Sequence, residues 1–473
     1  MKPAGRLIGV AVAALSLFPA VGCGPPRAPS RFRVVPGDNL PATANSRSSP
    51  VAANSPSMAI DPTDPRLVAM AHRYDSPDFN CGLEVSVDGG RLFAPANPVP
   101  VVPEGSEKCY NGEVDFDRKG TLYFLFVALH GSGNQPIGAF LTTSTDDART
   151  FSVPKQVLGP HNFGVRMAID RTQGSLGRLH LAWLAANSDP ALNSLPPPPN
   201  PVMASYSDNG GRTFSKTVTV SDSSHRLVVA PALTLGPHHR VGLAFYDLGT
   251  DQRDYHGLDG PKWDQPWSVV VAVSSDGGRT FGPNIVADDD VIPAERILLI
   301  FTTPPPSIVM PGGDSVVVAW DDARNGDRDV FARRSTNDGR TWRPVLRLND
   351  DPLRNGLDQY QPRLAVAPGG RIDVIFYDRR GDSSNEYNEV YYSYSSDQGA
   401  SFAPNVKLTS RNSPGNRGPT YLNSPAGLHE YGSHMGLVSR ADGAIAAWTD
   451  DRYLGVDEYQ DIFTAEVRLT KGH

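Results

Sequence analysis

Hydrophobic positions in this chain fall in short runs, many alternating with polar residues, and the runs recur in groups of four. One group reads Pro56-Ser-Met-Ala-Ile60, Leu67-Val-Ala-Met-Ala71, Leu83-Glu-Val85 and Pro98-Val-Pro-Val-Val102. Another reads Pro362-Arg-Leu-Ala-Val366, Ile372-Asp-Val-Ile-Phe-Tyr377, Val390-Tyr-Tyr-Ser393 and Val406-Lys-Leu408. Period-two runs bounded by Gly, Pro, Asn and Asp are the pattern of strands joined by tight turns. The 473 residues include 45 Gly and 43 Pro, with no amphipathic helical stretch beyond the N-terminus. The expected fold class is therefore all-β, in four-stranded antiparallel units.

Between the third and fourth run of six units stands one short motif. It reads Ser86-Val-Asp-Gly-Gly-Arg-Leu-Phe93, Ser144-Thr-Asp-Asp-Ala-Arg-Thr-Phe151, Ser207-Asp-Asn-Gly-Gly-Arg-Thr-Phe214, Ser274-Ser-Asp-Gly-Gly-Arg-Thr-Phe281, Ser335-Thr-Asn-Asp-Gly-Arg-Thr-Trp342 and Ser395-Ser-Asp-Gln-Gly-Ala-Ser-Phe402. Successive copies start 58 to 67 residues apart, and a fixed period of that size marks a repeat fold. Asp or Asn accepts hydrogen bonds from its own turn, Gly supplies positive φ, and the final aromatic returns to the core. A turn repeated in nearly every unit is scaffold, so these carboxylates are read as structural. The pattern S-x-D-x-G-x-T-F resembles the Asp-box, or BNR repeat, and the chain resembles the sialidase superfamily of β-propellers.

A seventh unit follows the last motif, with Ser433-His-Met-Gly-Leu-Val438, Ala444-Ile-Ala-Ala-Trp448 and Asp461-Ile-Phe-Thr-Ala-Glu-Val467. It lacks a fourth run. Arg31-Phe-Arg-Val-Val-Pro-Gly-Asp38 matches the fourth runs Val345–Asp350 and Val406–Ser410, and is expected to close the last blade from the N-terminal side. Phe32–Pro36 also resembles the F/Y-R-I-P motif that carries a substrate-binding arginine in sialidases, but the inner strand and box that follow it there are displaced here by Leu40–Pro50. Seven blades are expected, six being the alternative and the number in sialidase catalytic domains.

The first residues, Met1 to Arg6, precede an apolar stretch from Leu7 to Val21 and then Gly22-Cys23. That layout is a secretory leader, too short for a good membrane span. Ala20-Val-Gly-Cys23 resembles a bacterial lipobox, so the expected organisation is a signal peptide over 1–22, a linker over 23–30 lipid-anchored at Cys23, and one propeller domain over 31–473. A plain signal peptide cut nearby is the alternative; both make the protein exported, to the cell envelope or beyond. Of the remaining cysteines, Cys81 and Cys109 are expected to form a disulfide in an oxidising compartment. The net charge is −7, and loss of Lys2 and Arg6 with the leader makes it −9. That balance argues against a nucleic-acid partner. A monomer is expected, with the anchor as its membrane contact, and no metal or cofactor is called for.

Long variable segments, at 187–201, 249–267, 288–306, 381–388 and 410–431, all lie on the face opposite the six motifs, because the two sets of turns alternate in a meander. Binding is expected there. A second repeat opens onto that face: Trp320-Asp-Asp-Ala-Arg324, Phe376-Tyr-Asp-Arg-Arg380 and Trp448-Thr-Asp-Asp-Arg452, each followed by Asp329, Glu389 or Asp461, with Phe245-Tyr-Asp247 as a partial copy. Arg324, Arg380 and Arg452 invite comparison with the arginine triad that holds the substrate carboxylate in sialidases. They also suit a clasp across each hairpin, with the carboxylate that starts the third strand. The inner strands present Glu113, Arg166, Arg363 and His434 at matching registers, beside Ser57 and Ser307, as further substrate-binding candidates.

The resemblance implies a Tyr nucleophile activated by Glu, with an Asp as acid/base. Glu430-Tyr431 is the nearest pairing, and Asp75, Asp322 or Asp378 could supply the acid. The segment Glu430–Leu437 also resembles one in the last blade of exported bacterial Asp-box proteins. Tyr255, Trp263, Trp267, Tyr387, Tyr421 and Tyr459 are available for sugar stacking. Two functions stay open: a glycoside hydrolase resembling exo-α-sialidase, or a propeller that binds a glycan, a polysaccharide or a surface protein without turnover.

Overall fold

The computed structural model describes residues 31–43, 52–74, 79–96, 103–131, 135–172, 174, 177–186, 198–251, 265–293, 304–415, 431–452 and 460–471. Every element assigned among them is a strand, and no helix is long and apolar enough to cross a membrane. The strands form seven antiparallel sheets. Their first strands are Ala53–Ile60, Lys108–Phe116, Asn162–Asp170, Val228–Gly236, Ser307–Val309, Gln359–Val366 and Gly436–Arg440. Each first strand touches the next, and the last touches the first. The molecule is a seven-bladed β-propeller with these strands lining its axis.

Blade seven is completed as the sequence pattern predicts. Phe32–Pro36 pairs antiparallel with Asp461–Lys471, from Phe32 opposite Lys471 to Pro36 opposite Val467. Leu40–Pro41 then pairs further along the same strand, at Thr464 and Phe463. Tyr394 of blade six grips the strap, its hydroxyl accepting from the Phe32 amide at 2.9 Å and donating to the Phe32 carbonyl at 3.2 Å. In blade one the fourth strand differs from expectation. It is Ala94–Pro95, pairing with Val85 and Glu84 as soon as the motif ends in buried Phe93. The expected run Pro98–Val102 lies outside the described residues.

Apolar residues of neighbouring blades interlock all around the ring. Phe245, Trp320, Phe376 and Trp448 occupy one place in the second strands of blades four to seven, and none is more than 1 % exposed. The six turn motifs share one geometry. In each, the Ser hydroxyl donates to the Asp or Asn carbonyl-type oxygen at 2.7 to 2.9 Å. It also accepts a backbone N–H four residues on at 2.8 to 3.0 Å. In three of the four motifs with Asp, a Thr or Ser hydroxyl four residues on donates to it, as Thr280 does to Asp276 at 2.7 Å; in the first that place is Leu92. Where Asn stands, the sense reverses and the Asn337 amide donates to Thr341 at 2.9 Å. All of this side-chain chemistry is used in locking the turn.

Five inner strands slip register by a bulge: between Asn54 and Ser57, Tyr110 and Glu113, Phe163 and Arg166, Val229 and Ala232, and Tyr360 and Arg363. Ser55, Ala230 and Gln361 sit in these bulges with φ of 54°, 53° and 52°. Non-glycine residues in that region carry strain, and bulges re-aim side chains next to functional sites.

Candidate functional site

The bulges set the residue that follows them at one common level of the axial channel, near the middle of the inner strands. That ring contains Ser57, Glu113, Arg166, Ala232 and Arg363, with Ser307 and His434 from the two blades whose inner strands start late. Arg166 Nη1 donates to Glu113 Oε1 at 2.6 Å, and Arg166 Nε donates to the Pro231 carbonyl at 3.1 Å. Ser57 Oγ reaches Glu113 Oε2 at 3.5 Å. One carboxylate is thus shared by blades one, two and three. Ser307 Oγ accepts from the Leu364 amide at 2.8 Å, tying blade five to six.

Arg363 has no such arrangement. Its Nε is buried without a hydrogen-bond acceptor among the described residues. Burial, reinforced by the Arg166 charge and opposed by Glu113, pulls its pKa below the ordinary guanidinium value. His434 stands beside it, with Nδ1 3.0 Å from Ser433 Oγ and Nε2 buried without a partner. Burial, then the charges of Arg166, Arg363 and Arg73, push its imidazole well below the usual histidine range, so it is neutral at physiological pH.

Arg73, at the loop-face end of the second strand of blade one, was not among the residues that the sequence pattern singles out. It is 2 % exposed, with the Phe79 and Tyr110 rings 5.6 Å and 5.4 Å from its guanidinium carbon. The signal that marks it is a cation two residues beyond the apolar run Leu67–Ala71, still within the same second strand. At the rim, Asp321 accepts from the Gln361 amide at 2.9 Å and from Arg328 Nη2 at 2.8 Å, and Arg328 lies over the Tyr360 ring at 4.5 Å. Gln361 Nε2 donates to the Gly432 carbonyl at 2.7 Å.

Arg324, Arg380 and Arg452 do not join this cluster. Each hooks back onto the aspartate two residues before it: Arg324 Nη2 to Asp322 at 2.6 Å, Arg380 Nε to Asp378 at 2.8 Å, and Arg452 Nη2 to Asp450 at 2.6 Å. Each also covers an aromatic ring, Phe331 at 4.7 Å, Tyr391 at 4.3 Å and Phe463 at 4.1 Å. Arg324 and Arg380 then reach back towards the preceding blade, to Asp288 at 2.7 Å and to Asp350. The hairpin clasp expected from spacing is replaced by an inter-blade one. The carboxylates expected to complete it are taken elsewhere, Asp329 by Arg347 at 2.6 Å, Glu389 by Lys407, and Asp461 by Thr43 at 3.2 Å. Asp322 and Asp378 are both fully buried beneath their arginines, and burial raises their pKa against the pull of Arg324 and Arg380. In blade four a histidine takes the arginine's part, His225 Nδ1 lying 2.6 Å from Asp247.

Tyr431 lies in the apolar cluster of blades six and seven, 6 % exposed and edge-on to Tyr377 at 5.1 Å. Its hydroxyl is 2.6 Å from Ser413 Oγ, and burial drives the phenol well above its usual range. Glu430 and Asp75 lie outside the described residues, as do Cys23, Tyr255, Trp263, Tyr421 and Tyr459. Trp267 is 5 % exposed and donates to Asp251 at 3.0 Å, packing its own loop. Cys81 and Cys109 are joined by a disulfide. Among the described residues, no group of three or more His, Cys, Asp or Glu is placed to hold a metal ion.

No protein-family model matches the chain, and no curated protein matches it. Solved structures do. A protein of unknown function from Dyadobacter fermentans DSM 18053 aligns over 92 % of this chain and 99 % of its own, at TM-score 0.50 and 12 % identity. The polysaccharide lyase PL25 ulvan lyase aligns over 92 % and 95 %, at TM-score 0.48 and 10 % identity. The Hadza microbial sialidase Hz136 aligns over 85 % and 73 %, at TM-score 0.46 and 14 % identity. At such identities the likeness is one of fold, a β-propeller.

Proposed function

We propose that this protein is an exported Asp-box propeller, lipid-anchored through Cys23, that captures an anionic glycan in its axial channel. The observation that carries the reading is Arg363, a half-buried residue whose Nε is buried and finds no acceptor among the described residues. A buried donor without an acceptor costs free energy unless a ligand completes it. Arg166 beside it is balanced by Glu113, and neutral His434 adds hydrogen-bonding capacity without repelling a carboxylate or sulfate.

Binding without turnover is favoured over sialidase-type hydrolysis by the place of Tyr431. A nucleophile must reach the sugar, and this hydroxyl is enclosed between blades and held by Ser413. The test is titration of the mature protein with tetragalacturonate and with a neutral oligosaccharide of equal length, alongside a fluorogenic sialoside assay. Arg363→Ala is expected to weaken tetragalacturonate binding by about 10- to 100-fold, the worth of a charge-assisted hydrogen bond. Tyr431→Phe is expected to leave binding unchanged. Equal affinity for both oligosaccharides, or an unaffected Arg363→Ala, would overturn the anion site; sialoside turnover lost in Tyr431→Phe would restore the hydrolase.

A further inference from the structure

Cys81 stands directly opposite Arg73 in the antiparallel pair formed by the second and third strands of blade one. Directly opposed residues share a face of the sheet, here the one packed on blade two. Cys81 is bonded to Cys109, with a Cα–Cα distance of 5.5 Å, and Cys109 immediately precedes Tyr110 on the inner strand of blade two. The two rings that flank the Arg73 guanidinium therefore both lie within two residues of the crosslink, Phe79 before Cys81 and Tyr110 after Cys109. They also meet each other edge-on at 6.3 Å.

Blades one and two do not need this bond to find each other. Ala69, Ala71, Leu83, Val114, Phe124 and Phe126 already pack between them. What the bond adds is local. It fixes the spacing between the two rings, and so the place of the cation between them. Arg73 also stands opposite Asn54 on the inner strand of blade one, and the neighbouring Ser55 Oγ accepts from the Ser433 amide at 2.9 Å, next to His434. The cation therefore backs the wall that carries His434, and its charge is one of three that keep that imidazole neutral.

We propose that the Cys81–Cys109 disulfide is a positioning device for ligand recognition, clamping Arg73 between Phe79 and Tyr110 as the fixed cation behind the channel's anion site. This rests on the anion-site reading of Arg363, Arg166 and His434. Arg73 is a positioning residue in this scheme, acting through its positive field on the anion held by Arg363 and Arg166, with the His434 imidazole as the reporter of that field.

The experiment uses the oxidised mature protein, Arg73→Met, the double variant Cys81→Ser/Cys109→Ser, and the three substitutions combined. Two readouts are taken: tetragalacturonate affinity, and the NMR titration of the His434 imidazole without ligand. Arg166 and Arg363, the other charges that act on His434, are kept in every variant, so only the Arg73 contribution changes. Loss of Arg73 and loss of the disulfide are each expected to weaken binding by about three- to tenfold and to move the His434 titration upward. The combined variant is expected to be no worse than either, the non-additivity of residues acting as one unit. Tyr110→Ala, which keeps the disulfide, is expected to give the same two effects and Tyr110→Phe neither, which reads the clamp even if the serine variants do not fold. A folded disulfide-free protein with wild-type affinity and wild-type His434 titration would overturn the proposal, as would losses that multiply. If the wild-type protein fails to bind tetragalacturonate, the anion site fails, and the His434 titration still decides the clamp.

Discussion

Asp451 shows how one residue can be costly where it stands. Its side chain is fully buried beside Asp450 and Asp461, and burial together with those two charges raises its pKa well above the ordinary carboxylate value, against a hydrogen bond from Gln460. A group with a raised folded-state pKa favours folding while protonated. Its contribution is complete below the unfolded value of about 4 and is lost as pH rises through the folded value. Asp451→Asn should therefore stabilise the propeller by about 1–2 kcal/mol near pH 7, a rise of about 1–2 °C in Tm for a domain this large, and do little near pH 4. Melting curves at the two pH values check this; equal shifts at both would refute it. The contrast with Asp322 and Asp378 is instructive, because those carboxylates are equally buried but each lies under an arginine.

At the scale of elements, the strap Phe32–Pro36 carries a large share of ring closure for its length. It supplies the outer strand of blade seven, and Asn39 ties the following segment to blade six through the Leu408 carbonyl and the Ser410 amide. Deleting residues 31–41 would leave Asp461–Lys471 as an unpaired edge exposing Phe463 and Val467. With about five ladder hydrogen bonds at ~1 kcal/mol each, the loss should be on the order of 5 kcal/mol. Denaturant unfolding of the truncated chain should show an earlier midpoint, and an unchanged midpoint would show that the ring closes without the strap. The strap and the inter-blade arginine clasps answer the same need, since a propeller has no covalent closure between its last and first blades.

For the whole molecule, the field at the channel differs in sign from the protein's overall charge. The chain carries −7, yet Arg73, Arg166 and Arg363 gather around one neutral imidazole. On the anion-site proposal, an anionic glycan would be repelled by the molecule at long range and attracted at the channel. Moderate salt screens charges separated by more than about 10 Å but weakens enclosed pairs much less. Association of tetragalacturonate should accordingly be slow at low ionic strength and speed up as salt reaches about 0.1 M, with dissociation changing less. Stopped-flow kinetics across a salt series checks this, and an association rate that falls steadily with added salt would contradict it.

Repetition made the fold legible in the sequence. Six turn motifs, a seventh unit without one, and a spare strand-like segment at the other end determine seven blades and their closure, because each signal is local and written many times. The ring of Glu113, Arg166, Arg363 and His434 was legible for the same reason, as repeated registers. Which arginines converge was not. Arg324, Arg380 and Arg452 look like a triad along the chain, but each is consumed by an aspartate two residues away and by the neighbouring blade, an arrangement set by inter-blade packing. Arg73 lies between two aromatic rings from separate blades, and Tyr431 is held among Ser413 and Tyr377, away from the inner-strand cluster. Contacts between residues far apart in the chain leave no periodic trace, so only the tertiary structure could decide them.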